Sequence, residues 1–298
     1  MVNLKINNIP VSVPEGTTIL EAARSVGIRI PTLCYLQEIN AIGACRICVV
    51  EVKGARSMVA ACVYPVAEGM EVTTNSAAVI KARKTTLELI LSDHQKKCLS
   101  CIRSTNCELQ NLANEYGCDA NAFEGATNEF QPDTSTDWLI RDNNKCILCR
   151  CVAVCKHVQE VGVISANKRG FSTNIDVAFQ NGLENAGCVA CGQCINVCPV
   201  GALYEKSEIE KVKSFLRDPG KVVVVGAAPA VRAALGEEFG NAIGTNVEGK
   251  MVTALRALGF DKVFDINFAA DMTILEEAHE LIERVKTGGK LPMFTSCS

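Results

Sequence analysis

Seventeen cysteines in 298 residues, gathered into short runs, constrain this chain more than any other feature. Cys34, Cys45, Cys48 and Cys62 form a first group. His94, Cys98, Cys101 and Cys107 form a second, Cys146, Cys149, Cys151 and Cys155 a third, and Cys188, Cys191, Cys194 and Cys198 a fourth. Cys118 stands alone and reads as structural, and Cys297 is next to last. A secreted disulfide scaffold is shorter and denser in cysteine. The N-terminus, MVNLKINNIP, lacks a charged-then-apolar signal pattern, which points away from export. Metal ligation in a reducing compartment is expected, and with it a cytoplasmic location.

The spacings say which metals. Cys34-x10-Cys45-x2-Cys48-x13-Cys62 is close to the plant-type [2Fe–2S] arrangement, with small Gly43 and Ala44 letting backbone amides approach the sulfides; the bland alternatives are a zinc knuckle or buried thiols. HQKKCLSCIRSTNC offers one imidazole and three thiolates, which suit tetrahedral zinc or a cubane; iron–sulfur neighbours favour [4Fe–4S]. CVACGQCINVCP matches the bacterial ferredoxin run at every position. The fourth cysteine of such a run serves the other cluster of a pair. Cys155, Cys188, Cys191 and Cys194 are therefore expected around one cubane, and Cys146, Cys149, Cys151 and Cys198 around another. In the third group a single residue, Arg150, separates Cys149 from Cys151, where the repeat has two. Cys151 then reaches its iron through a distorted loop, or that cluster is labile or incomplete. The expected complement is one [2Fe–2S] and three [4Fe–4S] clusters.

Composition closes off other classes. Apolar residues are 48% and charged residues 21%, which is globular. A formal net charge of −3 supplies no basic field, so nucleic acid is not an expected partner. The longest apolar stretch, Val222 to Val231, is short and carries Gly226 and Pro229, so no membrane span is expected.

The elements follow from periodicity. Leu4, Ile6, Val11 and Val13 alternate with polar neighbours about the turn Asn7-Asn8. Thr17 to Val26 is expected as a short helix closed by Gly27, and residues 49 to 61 as a hairpin. Ser76 is the cap for a helix to about Asp93, with Ile80, Leu87, Ile90 and Leu91 on one face. Val222 to Val225 reads as an unpaired strand, in a region whose packing partners are expected beyond the end of the chain. Residues 206 to 298 are expected to be poorly stable, with an open strand edge. On LEEAHELIERV, Glu277, Glu280 and Arg284 share a face, and periodicity alone makes them a solvated salt-bridge face. His157 and His279 carry no signal.

The fold expected is α+β and multi-domain. Residues 1–78 form a β-grasp [2Fe–2S] ferredoxin-like domain, 79–118 a small helical domain with the His/Cys3 ligands, 119–138 a linker, 139–209 a two-[4Fe–4S] bacterial ferredoxin-type domain, and 210–298 an α/β portion.

This string of modules resembles the electron-input arm shared by [FeFe] hydrogenases, the large iron–sulfur subunit of complex I and some formate dehydrogenases. Ala228-Pro229-Ala230-Val231-Arg232, GFDKVFDINFAADMTILEEAHE and PMFTSC resemble the start of the catalytic domain of clostridial-type multi-cluster [FeFe] hydrogenases. The resemblance implies the reaction 2H⁺ + 2e⁻ ⇌ H₂, with ferredoxin as electron donor and an H-cluster in the full-length form. It places Ala228, Pro229 and Ala230 near that cluster, and implies a proton route through Cys297, Glu277, Glu280 and Arg284. Ser298 stands where the family has a ligating cysteine, and the later cysteine motifs are absent, so a fragment or a truncated variant is expected. Two other readings stand beside it: a non-catalytic polyferredoxin-like carrier, and the iron–sulfur subunit of an NADH- or formate-linked dehydrogenase complex.

Overall fold

The structure is a computed structural model in which residues 1–295 are described. It divides into two compact units, Met1–Lys206 and Ser207 onward. Cys297 and Ser298 lie outside the described residues.

In the first unit, β1 (Val2–Ile6) and β2 (Ile9–Val13) pair antiparallel about Asn7 and Asn8, both at positive φ, a conformation asparagine tolerates in tight hairpins. Their alternation buries Leu4, Ile6, Val11 and Val13. Helix α1 (Ile19–Ser25) is capped by Thr18, whose hydroxyl accepts from the Glu21 amide. Gly27, at φ +76, closes it as the sequence requires. Strands β3 (Val49–Val52), β4 (Val59–Ala60) and β5 (Glu71–Thr73) complete a sheet of order β2-β1-β5-β3-β4, with β1 and β5 parallel. Ile19, Leu20, Ala22 and Ala23 of α1 join the sheet's buried side chains in one core.

Helix α2 (Ala77–Asp93) starts at the Ser76 cap, which accepts from the Val79 amide. Its inner face differs from the expected one. Ile80 is exposed, and the inner stripe is Val79, Arg83, Leu87 and Leu91. Arg83 is tolerated there because its guanidinium donates to Val49 O at 2.8 Å and to Tyr116 Oη at 3.2 Å. Then come α3 (Glu108–Glu115), β6 (Leu139–Arg141), α4 (Cys151–His157), β7 (Ser165–Asn167), β8 (Asn174–Asp176), α5 (Gln193–Asn196) and β9 (Leu203–Glu205). β6 pairs antiparallel with β9, and β7 with β8. A second core runs from Leu33 and Ile47, beside the first cysteine group, through Leu87 and Leu109 to Ile175 and Val200.

Residues 119–138 contain no helix or strand but are fastened down. Asp133 and Arg141 exchange backbone hydrogen bonds, Asn128 donates twice to the Asp93 carboxylate, and Thr136 is buried.

The second unit comprises α6 (Ile209–Leu216), β10 (Val224–Ala227), α7 (Pro229–Glu238), α8 (Glu248–Ala257), β11 (Lys262–Asp265) and α9 (Ile266–Thr287). The strand expected from Val222 begins at Val224 and is not unpaired. It pairs in parallel with β11, Val224 opposite Lys262, after a crossover through α7 and α8. Only a few side chains here are buried, Val247 and Met251 among them, and none of those on α9. No helix among the described residues is long and apolar enough to cross a membrane.

Candidate functional site

All sixteen cysteines among the described residues are free. The Cys48 and Cys62 Sγ atoms lie 3.4 Å apart, too far for a disulfide. Among the described residues, no three His, Cys, Asp or Glu side chains close to single-ion geometry.

In the first group Cys34, Cys48 and Cys62 are buried and Cys45 half-buried. The thiols meet in two pairs, Cys34 with Cys45 and Cys48 with Cys62. In each pair the shared hydrogen bond drives the two sulfurs' proton affinities apart. The hydrogen bond from Cys34 brings Cys45 down to about 5, against its own burial, and the Ile47 and Leu33 amides help. The bond between Cys48 and Cys62 brings Cys48 to about 7, while Cys34 and Cys62 are driven up by the bonds within their pairs and by burial. Two sulfur pairs in a buried loop, with amides turned toward a thiolate, suit a two-iron core that takes two thiolates per iron. Gly43 (φ +63) shapes this loop; a Cβ there would meet Val63 Cγ2 at 3.2 Å.

In the second group His94 closes α2. Its Nδ1 is buried with no partner in the protein. Burial, then the charge of Lys145, hold the ring at about 4, so it is neutral and able to ligate. Cys98 opens a short 3₁₀ turn, Cys101 ends it, and Cys107 precedes α3. Burial raises Cys107, with the charges of Cys101 and Cys98 adding to it, so the three thiols share one neighbourhood. Gly201 packs close beside it: a Cβ there would sit 2.6 Å from Cys101 Sγ, so the thiol would have to shift. An orphaned buried imidazole beside three thiols is a donor set for a cubane or a zinc ion.

The third and fourth groups interleave. Cys155 lines one cavity together with Cys188, Cys191 and Cys194. Cys198 lines another with Cys146, Cys149 and Cys151. Backbone geometry repeats between the two runs. Leu148 and Ala190, each just before the second cysteine, both take left-handed φ, +55 and +54. After that cysteine the runs part. Gly192 (φ +71) and Gln193 lead into α5, whereas Arg150 alone, at φ −128, leads into α4. The shortened run thus enters its helix from a residue at φ −128 and ψ −37 in place of a left-handed glycine. Cys151 still faces the cavity of Cys146, Cys149 and Cys198. Burial lifts Cys146 and Cys194 to about 11 and Cys149 and Cys151 well above the ordinary thiol value. As free thiols these sulfurs stay protonated; as thiolates they need cationic iron to offset their burial. Cys198 Sγ donates to Val200 O at 3.0 Å, a bond that ligation gives up.

Two contacts absent from any motif join these groups. The buried Asn40 amide donates to Cys34 O at 2.7 Å and to Cys149 O at 2.9 Å, tying the first group to the third. Arg150 forms a two-pronged ion pair with Glu108, at 2.6 and 2.8 Å, tying the third group to the residue after Cys107. Sequence reasoning missed both, since neither residue lies in a recognisable pattern. The single signal was Arg150 itself, standing in the shortened spacing.

Cys118 lies apart, its Sγ 3.9 Å from Lys84 O. In the second unit Ala228, Pro229 and Ala230 are exposed at the start of α7. Glu280 and Arg284 form an ion pair on α9, one turn from Glu277. Cys297, the fourth member of the implied proton route, lies outside the described residues.

Sulfur-rich ligand groups on a shared core define an iron–sulfur protein, and comparison with known proteins agrees. Residues 1–77 match the 2Fe-2S iron-sulfur cluster binding domain, 83–121 the NADH-ubiquinone oxidoreductase-G iron-sulfur binding region, and 185–204 the 4Fe-4S binding domain. Residues 221–298 match the iron only hydrogenase large subunit, C-terminal domain. The whole chain is 48% identical to the NADP-reducing hydrogenase subunit HndD of Solidesulfovibrio fructosivorans and 43% identical to iron hydrogenase 1 of Clostridium pasteurianum. It covers 53% and 52% of those proteins, so it spans about half the length of the curated relatives it matches. A crystal structure of an NAD⁺-reducing [NiFe]-hydrogenase in the H₂-reduced state contains a chain 30% identical to it. That likeness has a TM-score of 0.65 and covers 69% of this chain and 88% of the other. The chain belongs to the iron-only hydrogenase family and corresponds to its N-terminal portion.

Proposed function

We propose that this chain is the electron-input portion of a hydrogenase that interconverts protons and H₂, holding one [2Fe–2S] and three [4Fe–4S] clusters. Such clusters, when bound, take up and release single electrons at low potential. What supports the reading most directly is the pair of cavities in which Cys155 and Cys198 are exchanged between the third and fourth groups.

The chain's own residues have distinct tasks in this reading. Cys34, Cys45, Cys48 and Cys62 hold the binuclear centre on a β-grasp domain of residues 1–78. His94, Cys98, Cys101 and Cys107 hold a cubane within 79–118. Cys146, Cys149, Cys151 and Cys198, with Cys155, Cys188, Cys191 and Cys194, hold two more within 139–209, reached through the segment 119–138. Residues 210–298 begin the catalytic domain, with Ala228, Pro229 and Ala230 beside its metal site. Glu277, Glu280 and Arg284 pass protons toward Cys297, carboxylates and a thiol being groups suited to relay. Ferredoxin, or a carrier like it, delivers electrons in the cytoplasm.

Anaerobic reconstitution followed by iron and acid-labile sulfide analysis, with EPR of the reduced chain, tests the ligand assignment. One binuclear and three cubane signals are expected; a colourless protein that binds stoichiometric zinc would overturn it. Hydrogen evolution from reduced viologen separates a catalytic chain from a polyferredoxin-like carrier.

A further inference from the structure

The two cavities of the third and fourth groups differ in their surroundings. The cavity of Cys155, Cys188, Cys191 and Cys194 is lined by aliphatic side chains and two glutamines, with no charged residue. The cavity of Cys146, Cys149, Cys151 and Cys198 is lined also by Arg141. Arg141 is 5% exposed. Its terminal nitrogens donate to Ile175 O, Asp133 and Asp176 at 2.6 to 3.0 Å. Its Nε is buried with no partner in the protein. Arg150, between two cysteines of the same group, repeats the pattern. It is 8% exposed, its terminal nitrogens are taken by Glu108, and its Nε is likewise buried and unpartnered. Native proteins rarely leave a buried guanidinium N–H unmet, because the lost solvation is not repaid. Arg141 lines the sulfur-lined cavity, Arg150 stands between two of its cysteines in the chain, and every other nitrogen of both groups has an acceptor.

We propose that Arg141 and Arg150 donate their Nε–H groups to sulfur at the site of Cys146, Cys149, Cys151 and Cys198, and hold it at a higher reduction potential than the site of Cys155, Cys188, Cys191 and Cys194. Hydrogen bonds to sulfur are among the factors that set such potentials, and they favour the more negative, reduced state. The fixed fork of arginine suits the role: its outer nitrogens lock the group while the inner one stays aimed. In the shortened spacing, Arg150 then does more than bridge a gap. The inference rests on the iron–sulfur reading above and adds an order of potentials to it.

The test is an anaerobic redox titration of the reconstituted full chain, poised with dithionite and mediators and followed by EPR, with Cys191→Ser marking the signal of the fourth-group site. In Arg150→Gln, and separately in Arg141→Lys, the reduced-to-oxidised ratio of the other interleaved cubane at fixed potential is expected to fall about tenfold, which is ~59 mV for a one-electron couple. The Cys191-marked signal is expected to stay within twofold. Glu108→Gln, at a half-exposed position that tolerates change, is expected to move the same ratio upward by freeing the Arg150 charge. Unchanged ratios with iron content intact, or a shift confined to the Cys191-marked signal, overturn the proposal. If both arginine variants lose iron, Glu108→Gln decides: a rise supports it and no change overturns it. A wild-type chain without cubane iron would sink the underlying reading first, and is seen in the iron analysis before any titration.

Discussion

Leu87 and Leu275 are both helix leucines followed by a glutamate, and their fates are opposite. Leu87 is 0% exposed in the core of the first unit, and Leu275 on α9 is 66% exposed. The contrast is general. The first unit closes two cores, one of them reaching from the first cysteine group to the fourth. In the second, Phe268, Ile274, Leu275 and Ile282 stand open on a single helix. Amphipathic spacing tells that a face is made for burial, and only the surrounding chain tells whether it is covered.

Removal of iron is the most severe way to probe the contrast. Chelation under reducing conditions is expected to collapse the protease resistance of residues 1–206, because the loops carrying the ligands have little core of their own. Cleavage beyond Ser207 is expected to occur already in the iron-loaded protein. Equal protection of both units before chelation would break the comparison. Next in size, Leu87→Ala is expected to cost about 2–5 kcal/mol in urea unfolding. Leu275→Ala is expected to change stability by no more than about 0.5 kcal/mol, and a large loss there would show that α9 is covered in solution. Asn40→Leu leaves the Cys34 and Cys149 carbonyls without their buried donor and is expected to cost about 1–3 kcal/mol, read as a lower urea midpoint. The smallest effect sharpens the other side: Glu280→Gln breaks an i,i+4 ion pair on α9 and is expected to cost about 0.2–0.5 kcal/mol of helix stability, less at high salt. Circular dichroism of the thermal transition checks it.

Much of this was legible in the residues. Ser76 and Gly27 mark helix ends through chemistry that acts within a few positions, and the Asn7-Asn8 turn does the same for a hairpin. The cysteine rhythm displayed which thiols the fold gathers, Cys155 with the fourth group and Cys198 with the third. Arg83 was not legible, since its inward position depends on the Val49 carbonyl and the Tyr116 hydroxyl, which only folding delivers. The strand at Val224 looked partnerless for the same reason: β11 arrives after a crossover of more than thirty residues. The Arg141 environment, built from Asp133, Ile175 and Asp176, is drawn from two separate segments and leaves no periodic trace.

The Asn40 amide joins carbonyls at Cys34 and at Cys149, and the latter bond spans 109 positions of sequence. A contact of that separation carries a large loop-closure entropy and is made late, after local helices and hairpins have formed. Cys34 is synthesised well before Cys149 exists, so this tie waits until the intervening residues have been made. The core around Cys48 and Cys62 is built from residues 4 to 72 alone, and the Asn40 tie adds the link to the third group only when the distant loop arrives.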